Sequence, residues 1–394
     1  MVRALLYLPD DAGPRLAGAP VAGRTLTVRA LVAALRAGAS VIALPSTLRD
    51  AAVERALRRM PALAAAVRWL SPGDEAPEDE SGPWLLLPAS SLIHVSALRG
   101  LLAPSTAGCA VLAPSAGTAA PVAIATPALV TAVWKDLAAG RPVGPELERR
   151  LAEAGARPRE ATGPYRTVRD TADLPAAEEA LQATLGIPAD SGVDRYLHRR
   201  CSRWITRLLV RTRVTPNQVS CGSFVIGLGA AWCFWHATPV SAAVGVIVYA
   251  LACIVDHSDG EIARLTFQES RLGANLDWAI DTTIHAGMVL GIGVTAGGTV
   301  MTALGAVGAA GVILSALFAW YLPREIEVGR MVGGLLTNIG NRDLFYLLLL
   351  TVTALRWLHP PLVGAVTVVV AVGSQIYWIG CLVRIRRIGH GPAA

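Results

Sequence analysis

Lysine is almost missing from this sequence. Of 35 basic residues in a chain of 394, Lys135 is the only lysine and the rest are arginine. The usual lysine contacts to phosphate are therefore mostly unavailable, and phosphate recognition falls chiefly to the planar arginine fork. Charge of either sign is also scarce, at 16% of residues against 53% hydrophobic, and mean hydropathy is +0.48. Those values lie outside the range of an ordinary soluble domain. No CxxC pair occurs among Cys109, Cys201, Cys221, Cys233, Cys253 and Cys381. Most of these lie in or near apolar runs and read as small apolar side chains in a reducing compartment. The net charge is +6, yet no aromatic-basic interleaving accompanies it, so nucleic acid is not an expected partner. A signal peptide is missing too: Leu5-Leu6-Tyr7-Leu8 is too short and runs into Pro9-Asp10-Asp11, so the first domain is expected to stay in the cytoplasm.

What is present divides the chain in two. From Val219 to Val383 apolar segments recur at about 20 residues, the length that crosses a bilayer. The first half alternates strand-like and helix-like stretches. Strands are expected at Ala4–Leu8, Ser40–Leu44, Val67–Leu70 and Trp84–Pro88. Helices are expected at Leu26–Ala37, Ala51–Met60 and Ser96–Leu102. That alternation predicts a parallel sheet with helices on both faces. A strand, a glycine-containing loop and Ala22-Gly23-Arg24-Thr25-Leu26 before a helix resemble a sugar-nucleotidyltransferase domain. The resemblance implies a basic glycine-rich loop around nucleotide phosphates and a metal-binding aspartate after the Trp84 strand. Here the loop is Asp10-Asp11-Ala12-Gly13-Pro14-Arg15 and the second position holds Ala89-Ser90-Ser91. Residues 1–160 are therefore read as a degenerate domain of that kind without transferase activity, followed by a linker over 161–192.

Residues 193–213 form a basic amphipathic juxtamembrane helix. Leu197, Cys201, Trp204, Ile205, Leu208 and Leu209 fall to one side, among Arg195, Arg199, Arg200, Arg203, Arg207 and Arg211. This is the composition of a helix lying on a membrane surface. Thr215-Pro216-Asn217 opens a membrane domain over 214–388, with Pro placed to start a helix. Six spans are expected, making an all-α bundle: Asn217–His236, Val240–Leu265, Leu272–Val294, Thr299–Leu322, Arg342–Leu358 and Leu362–Val383. Arg264, Arg271, Arg324, Arg330, Arg342, Arg384, Arg386 and Arg387 then share one side, and Arg356 is the exception. The positive-inside rule predicts that this side, with both termini, is cytoplasmic.

The charges inside the spans carry the chemistry. Asp256 and Asp259 share a face at the inner end of the second span; Asp277 and Asp281 share one at the start of the third. A charge at membrane depth costs several kcal/mol unless paired, metal-bound or hydrated. A short connection lets the two faces oppose, and one or two divalent cations resolve the repulsion, with oxygen ligands suiting Mg²⁺ or Mn²⁺. Gly260, Ala263 and Gly273 leave room for a ligand near the backbone. Such a centre suits phosphoryl chemistry, with one carboxylate free to act as base.

The spacing of Asp256, Asp259, Gly260, Ala263, Arg264, Gly273, Asp277 and Asp281 resembles the signature of the CDP-alcohol phosphotransferases at every position. The resemblance implies transfer of a substituted phosphate from a CDP-alcohol to an acceptor hydroxyl, with release of CMP. It further implies Asp256, Asp259 and Asp277 as metal ligands and Asp281 as general base that also touches metal. Asn217, Gly260, Ala263, Arg264 and Gly273 would lie near the nucleotide. Arg324, Arg330 and Arg342 are candidates to hold an acceptor phosphate, or are topology anchors. His257 and His285 are read as packed neighbours, and Gln375 and Tyr377 as bundle partners. A nucleotidyltransferase-like domain ahead of such a bundle resembles the subfamily that joins CDP-inositol to inositol 1-phosphate. That architecture implies a phospholipid or inositol-phosphate type product and a homodimer. Two alternatives stay open: a bifunctional enzyme that also makes the CDP-alcohol from CTP, and a non-catalytic membrane scaffold or transporter.

Overall fold

Seven short strands make the sheet that organises the N-terminal half of the computed structural model, which describes residues 2–76, 82–102, 109–112, 120–186, 191–236, 238–321 and 342–388. They are β1 (Val2–Tyr7), β2 (Ala39–Pro45), β3 (Val67–Leu70), β4 (Trp84–Pro88), β5 (Ala110–Leu112), β6 (Ala123–Ala125) and β7 (Arg157–Arg159). Their order is β7-β5-β6-β4-β1-β2-β3. The chain moves outward from β1 to β3, then returns to place β4 on the other side of β1. Strands β1 to β4 pair in parallel, and β6 runs antiparallel to both β4 and β5. The sheet is thus mixed, where the sequence pattern predicts a parallel one. No helix lies between β5 and β6 among the described residues, and parallel neighbours need a crossover. Near-continuous apolar strands fit burial on both faces: Ala4 to Tyr7 and Trp84 to Leu87 are all buried.

Helix starts in this half are capped as the sequence allows. Thr25 accepts from the Val28 amide ahead of Leu26–Arg36, and Asp50 accepts from Ala52 and Val53 ahead of Ala51–Arg59. Arg29 is buried; it donates from Nε to Val21 O (2.9 Å) and from an amino group to Ala22 O (2.8 Å), fastening the turn between Pro20–Val21 and Arg24–Thr25. A second ribbon pairs Ser91–Ile93 with Tyr165–Thr167, so part of the expected linker belongs to this unit, which extends to Leu185.

The second unit, from Gly186 onward, is helical. After a wide π turn over Asp194–His198 come α1 (Arg199–Leu209), α2 (Pro216–Trp235), α3 (Pro239–Thr266) and α4 (Arg271–Ala296). They are followed by α5 (Gly298–Tyr321), α6 (Arg342–Leu358) and α7 (Leu362–Ile388). Among the described residues, five segments are long and apolar enough to cross a membrane: Pro216–Trp235, Pro239–Thr266, Arg271–Ala296, Gly298–Phe318 and Leu362–Gly380. The sixth expected span, α6, has 17 residues and begins Arg342-Asp343, which keeps it outside that set.

Two capping boxes, Thr215 with Gln218 and Thr238 with Ser241, start α2 and α3, each with Pro in the first turn. Small residues let the helices approach. A Cβ on Gly293 would stand 2.7 Å from Gly305 Cα, so α4 and α5 meet backbone to backbone there. Between α3 and α4 the chain reverses at Phe267, which sits in the left-handed region at φ 58°. The Phe267 and Gln268 amides both donate to Ala263 O, and Ser270 then caps α4 by accepting from Gly273 N.

Candidate active site

The reversal at Phe267 brings the acidic ends of α3 and α4 together, while α3 packs mainly against α2 and α4 against both α5 and α2. Carboxylate oxygens of Asp256, Asp259 and Asp277 lie within 4.8 Å of one another. Asp256 and Asp259 are buried and Asp277 is half-buried. Three clustered oxygen donors, with no amide or thiolate among them, fit a hard divalent cation such as Mg²⁺ or Mn²⁺. Asp281, one turn further along α4, is 39% exposed at its side chain.

Of the other residues expected at the site, Gly260, Ala263 and Arg264 follow Asp259 on α3, Gly273 precedes Asp277 on α4, and Asn217 lies on α2. A Cβ on Gly260 would meet the Arg264 guanidinium at 3.4 Å, so that side chain lies over the glycine. A Cβ on Gly273 would come 3.4 Å from Asn217 Oδ1 and 3.2 Å from Ser270 Oγ. Asn217 and Gly273 therefore border one space although they sit on different helices. Ala263 serves the turn through its carbonyl. Arg324 and Arg330 fall outside the described residues.

Three contributors were not legible in the sequence. Ser220 donates to Asp259 Oδ2 and also to Pro216 O (3.2 Å), tying α2 to the cluster. Its only sequence signal is its place one turn after Asn217. Glu261, fully buried, accepts from Arg199 (3.0 Å), Ser202 (2.8 Å) and Thr206 (2.7 Å), clamping α1 onto α3. A glutamate beside the acidic motif was the available hint.

The third contributor is a polar network next to the aspartates. Asp194 Oδ1 is 2.9 Å from His198 Nδ1 and 2.8 Å from His257 Nε2. Its second oxygen accepts from Ser191 N (3.1 Å). His198 Nε2 accepts from Tyr346 OH at 3.0 Å. Burial alone would raise the Asp194 carboxyl, but hydrogen bonds from His198 and His257 and the charge of Arg342 hold it well below the usual carboxylate range. Asp194, His198 and His257 have the donor types of a transition-metal site and lie close enough to be one. Both nitrogens of His198 are already partnered, however, and the Arg342 guanidinium is 2.9 Å from His257 Nε2. The set is a closed hydrogen-bonded network. His285 is likewise occupied, by Tyr249 OH (2.8 Å) and the Asp281 carbonyl (2.7 Å). Gln375 donates to Val307 O (2.7 Å) and accepts from Trp378 (2.6 Å), within the bundle.

Arg342 joins the two groups. One amino nitrogen donates to Asp256 Oδ2 (2.9 Å) and Asp281 Oδ2 (3.3 Å), and the other lies 3.4 Å from Asp194 Oδ1. Its neighbour Asp343 accepts from Gly192 N (2.8 Å) and Val193 N (2.9 Å).

Comparison with known proteins agrees with this geometry. Residues 213–385 match the family model described as CDP-alcohol phosphatidyltransferase. A "Bifunctional IPC transferase and DIPP synthase" of Thermococcus kodakarensis is 39% identical over 92 residues, covering 23% of this chain and 20% of that protein. The protein of the same description in Rubrobacter xylanophilus is 34% identical over 155 residues, 39% of this chain and 35% of its own length. An "Archaetidylinositol phosphate synthase" of Pyrococcus horikoshii is 33% identical over 88 residues, 22% of this chain and 45% of that protein. The matched part thus spans less than half the length of each of these relatives. Residues 213–385, the part of this chain that matches the family model, contain all four aspartates at the signature spacing, and three of these bring their carboxylate oxygens within 4.8 Å of one another.

Proposed function

We propose that the chain is an integral-membrane phosphotransferase that moves a substituted phosphate from a CDP-alcohol to an acceptor hydroxyl and releases CMP. The observation that carries this reading is the convergence of Asp256, Asp259 and Asp277 within 4.8 Å on membrane-length helices. Asp256, Asp259 and Asp277 would hold one or two divalent ions, with Asp281 at the edge. When bound, Mg²⁺ or Mn²⁺ would supply charge neutralisation at the pyrophosphate and the leaving phosphate. Asp281, the more exposed carboxylate, takes the proton from the acceptor hydroxyl. The freed oxygen attacks the alcohol-bearing phosphorus, the bond to the bridging oxygen breaks, and CMP departs with that electron pair. Asn217, Gly260, Ala263, Gly273 and Arg264 border the space beside the cluster and would receive the nucleotide. Arg342, and Arg324 and Arg330 on the topology that the arginine distribution suggests, would attract a phosphorylated acceptor.

The names of the relatives favour an inositol-phosphate type of acceptor or product. We further assign α6 as a sixth span, with both termini and the site on the cytoplasmic side, on the arginine distribution. The juxtamembrane segment supports a bilayer partner. Its buried side carries Asp194, His198, Arg199, Ser202 and Thr206, while Tyr196, Leu197, Trp204 and Leu208 are exposed. A helix with an apolar outer face ringed by arginine suits anionic lipid. A homodimer follows from family likeness.

The N-terminal unit is proposed to be a degenerate nucleotidyltransferase-like domain. Ligands of open α/β sheets bind at the carboxyl ends of strands where the order reverses, here between β1 and β4. After β4 the chain reads Ala89-Ser90-Ser91, without a carboxylate there, and Val143 N donates to Leu8 O just after β1. The bifunctional alternative rests on the relatives' description.

The test is a screen for metal-dependent CMP release by the full chain in detergent. CDP-diacylglycerol, CDP-inositol and CDP-glycerol would be offered with inositol, inositol phosphate and glycerol phosphate. No CMP from any pair with folded protein would refute the transferase reading. Pyrophosphate release from CTP would establish the bifunctional one.

A further inference from the structure

Arg342 is held from two sides. One amino nitrogen reaches Asp256 and Asp281; the other faces Asp194 Oδ1 at 3.4 Å and His257 Nε2 at 2.9 Å. A guanidinium between two carboxylates opposes a cation that needs the same oxygens, because like charges at such distances repel strongly where water is scarce. What draws Arg342 the other way is Asp194, itself fixed by Ser191 N, His198 and His257. The next residue, Asp343, grips the Gly192 and Val193 amides, so two adjacent side chains of α6 fasten the same turn. Neither Asp194 nor His257 belongs to the signature.

We infer that Asp194 is a positioning residue that acts through Arg342: it shares the guanidinium's charge and holds it at the rim of the aspartate cluster, leaving Asp256 and Asp281 able to receive a divalent cation. The inference rests on the metal-dependent reading above. It gives the juxtamembrane turn a direct part in setting cation affinity, and it predicts opposite signs for two neighbouring substitutions. Neutralising Asp194 releases the guanidinium toward Asp256 and Asp281 and weakens cation binding. Neutralising Arg342 removes the competitor and strengthens it. A merely structural role would weaken binding in both cases.

The experiment is Mn²⁺ titration of the full-length chain in detergent, followed by electron paramagnetic resonance, with thermal melting as the check on folding. Asp194→Asn is expected to weaken Mn²⁺ binding about tenfold, the scale of outer-sphere substitutions. Arg342→Gln is expected to tighten it. In the Asp194→Asn/Arg342→Gln double variant the Asp194 effect is expected to vanish, since its route is gone. Should Asp194→Asn fail to fold, His257→Gln removes the imidazole that donates to Asp194 and is expected to act in the same direction. Unchanged affinity in a folded Asp194→Asn protein, weakening by Arg342→Gln, or an Asp194 effect of full size in the double variant would each overturn the inference. Wild-type CMP release is measured in parallel. Mn²⁺ binding without CMP release would refute the proposed reaction while leaving the inference to its own test, and a wild-type chain that binds no Mn²⁺ would overturn both.

Discussion

Two acidic clusters lie on either side of Arg342, and they differ in what their lone pairs already do. Asp256, Asp259 and Asp277 bring oxygens within 4.8 Å of one another, and Ser220 and Arg342 reach them at the margins. Asp194, His198 and His257 are as close to one another, yet they bond among themselves and to Ser191 and Tyr346. Donor type and proximity are alike in the two places. The difference is satisfaction: a cation is needed where carboxylates face each other, and has nothing to gain where a carboxylate faces N–H groups.

The largest effect that sharpens this contrast is at the first cluster. Asp259→Asn and Asp277→Ala are expected to abolish Mn²⁺ binding and lower CMP release on the order of 10²–10³-fold, as loss of stabilisation of developing charge does. A paramagnetic titration and a CMP assay read this out. The same loss of Mn²⁺ in His198→Gln would break the comparison. Glu261→Ala is expected next. It removes the Glu261 carboxylate from the buried Arg199 guanidinium, and removing one partner of a buried pair costs about 3–5 kcal/mol, visible as a fall in melting temperature with Mn²⁺ stoichiometry intact in the folded fraction. His198→Phe removes bonds to Asp194 and Tyr346 and is expected to cost about 1–3 kcal/mol of stability, measured by chemical unfolding, again without loss of Mn²⁺ stoichiometry. Smallest is Thr238→Ala at the far end of α3. Loss of that cap should cost about 1 kcal/mol and leave Mn²⁺ affinity and CMP release unchanged.

Much of the architecture could be read from local pattern. Val67–Leu70 and Trp84–Pro88 are strands at the bounds expected, and Leu26–Arg36 is a helix that stops before Gly38. Strand direction was less accessible, because β6 is three residues long and its polarity is decided by its neighbours. The aspartates were legible because charge among apolar residues is rare and their spacing is specific. Asp194 and Glu261 were obscured for the opposite reason. The first sits in an arginine-rich stretch and the second next to the motif, where an extra acid carries no separate signal. The juxtamembrane helix also inverts the soluble rule: Arg199, Ser202 and Thr206 are buried, and Trp204 and Leu208 face outward. Periodicity finds the two faces but does not say which one meets protein.

The left-handed residue Phe267 has a consequence for the chain's tolerance of length change. Each residue of a helix advances the azimuth by about 100°. One residue added or lost within α3 between Asp259 and Phe267, or within α4 between Ser270 and Asp277, would therefore turn the two acidic faces away from each other. The connection works as a phase setting between two screws. Its cost is a bulky side chain in a conformation that L-residues adopt at roughly 1–2 kcal/mol.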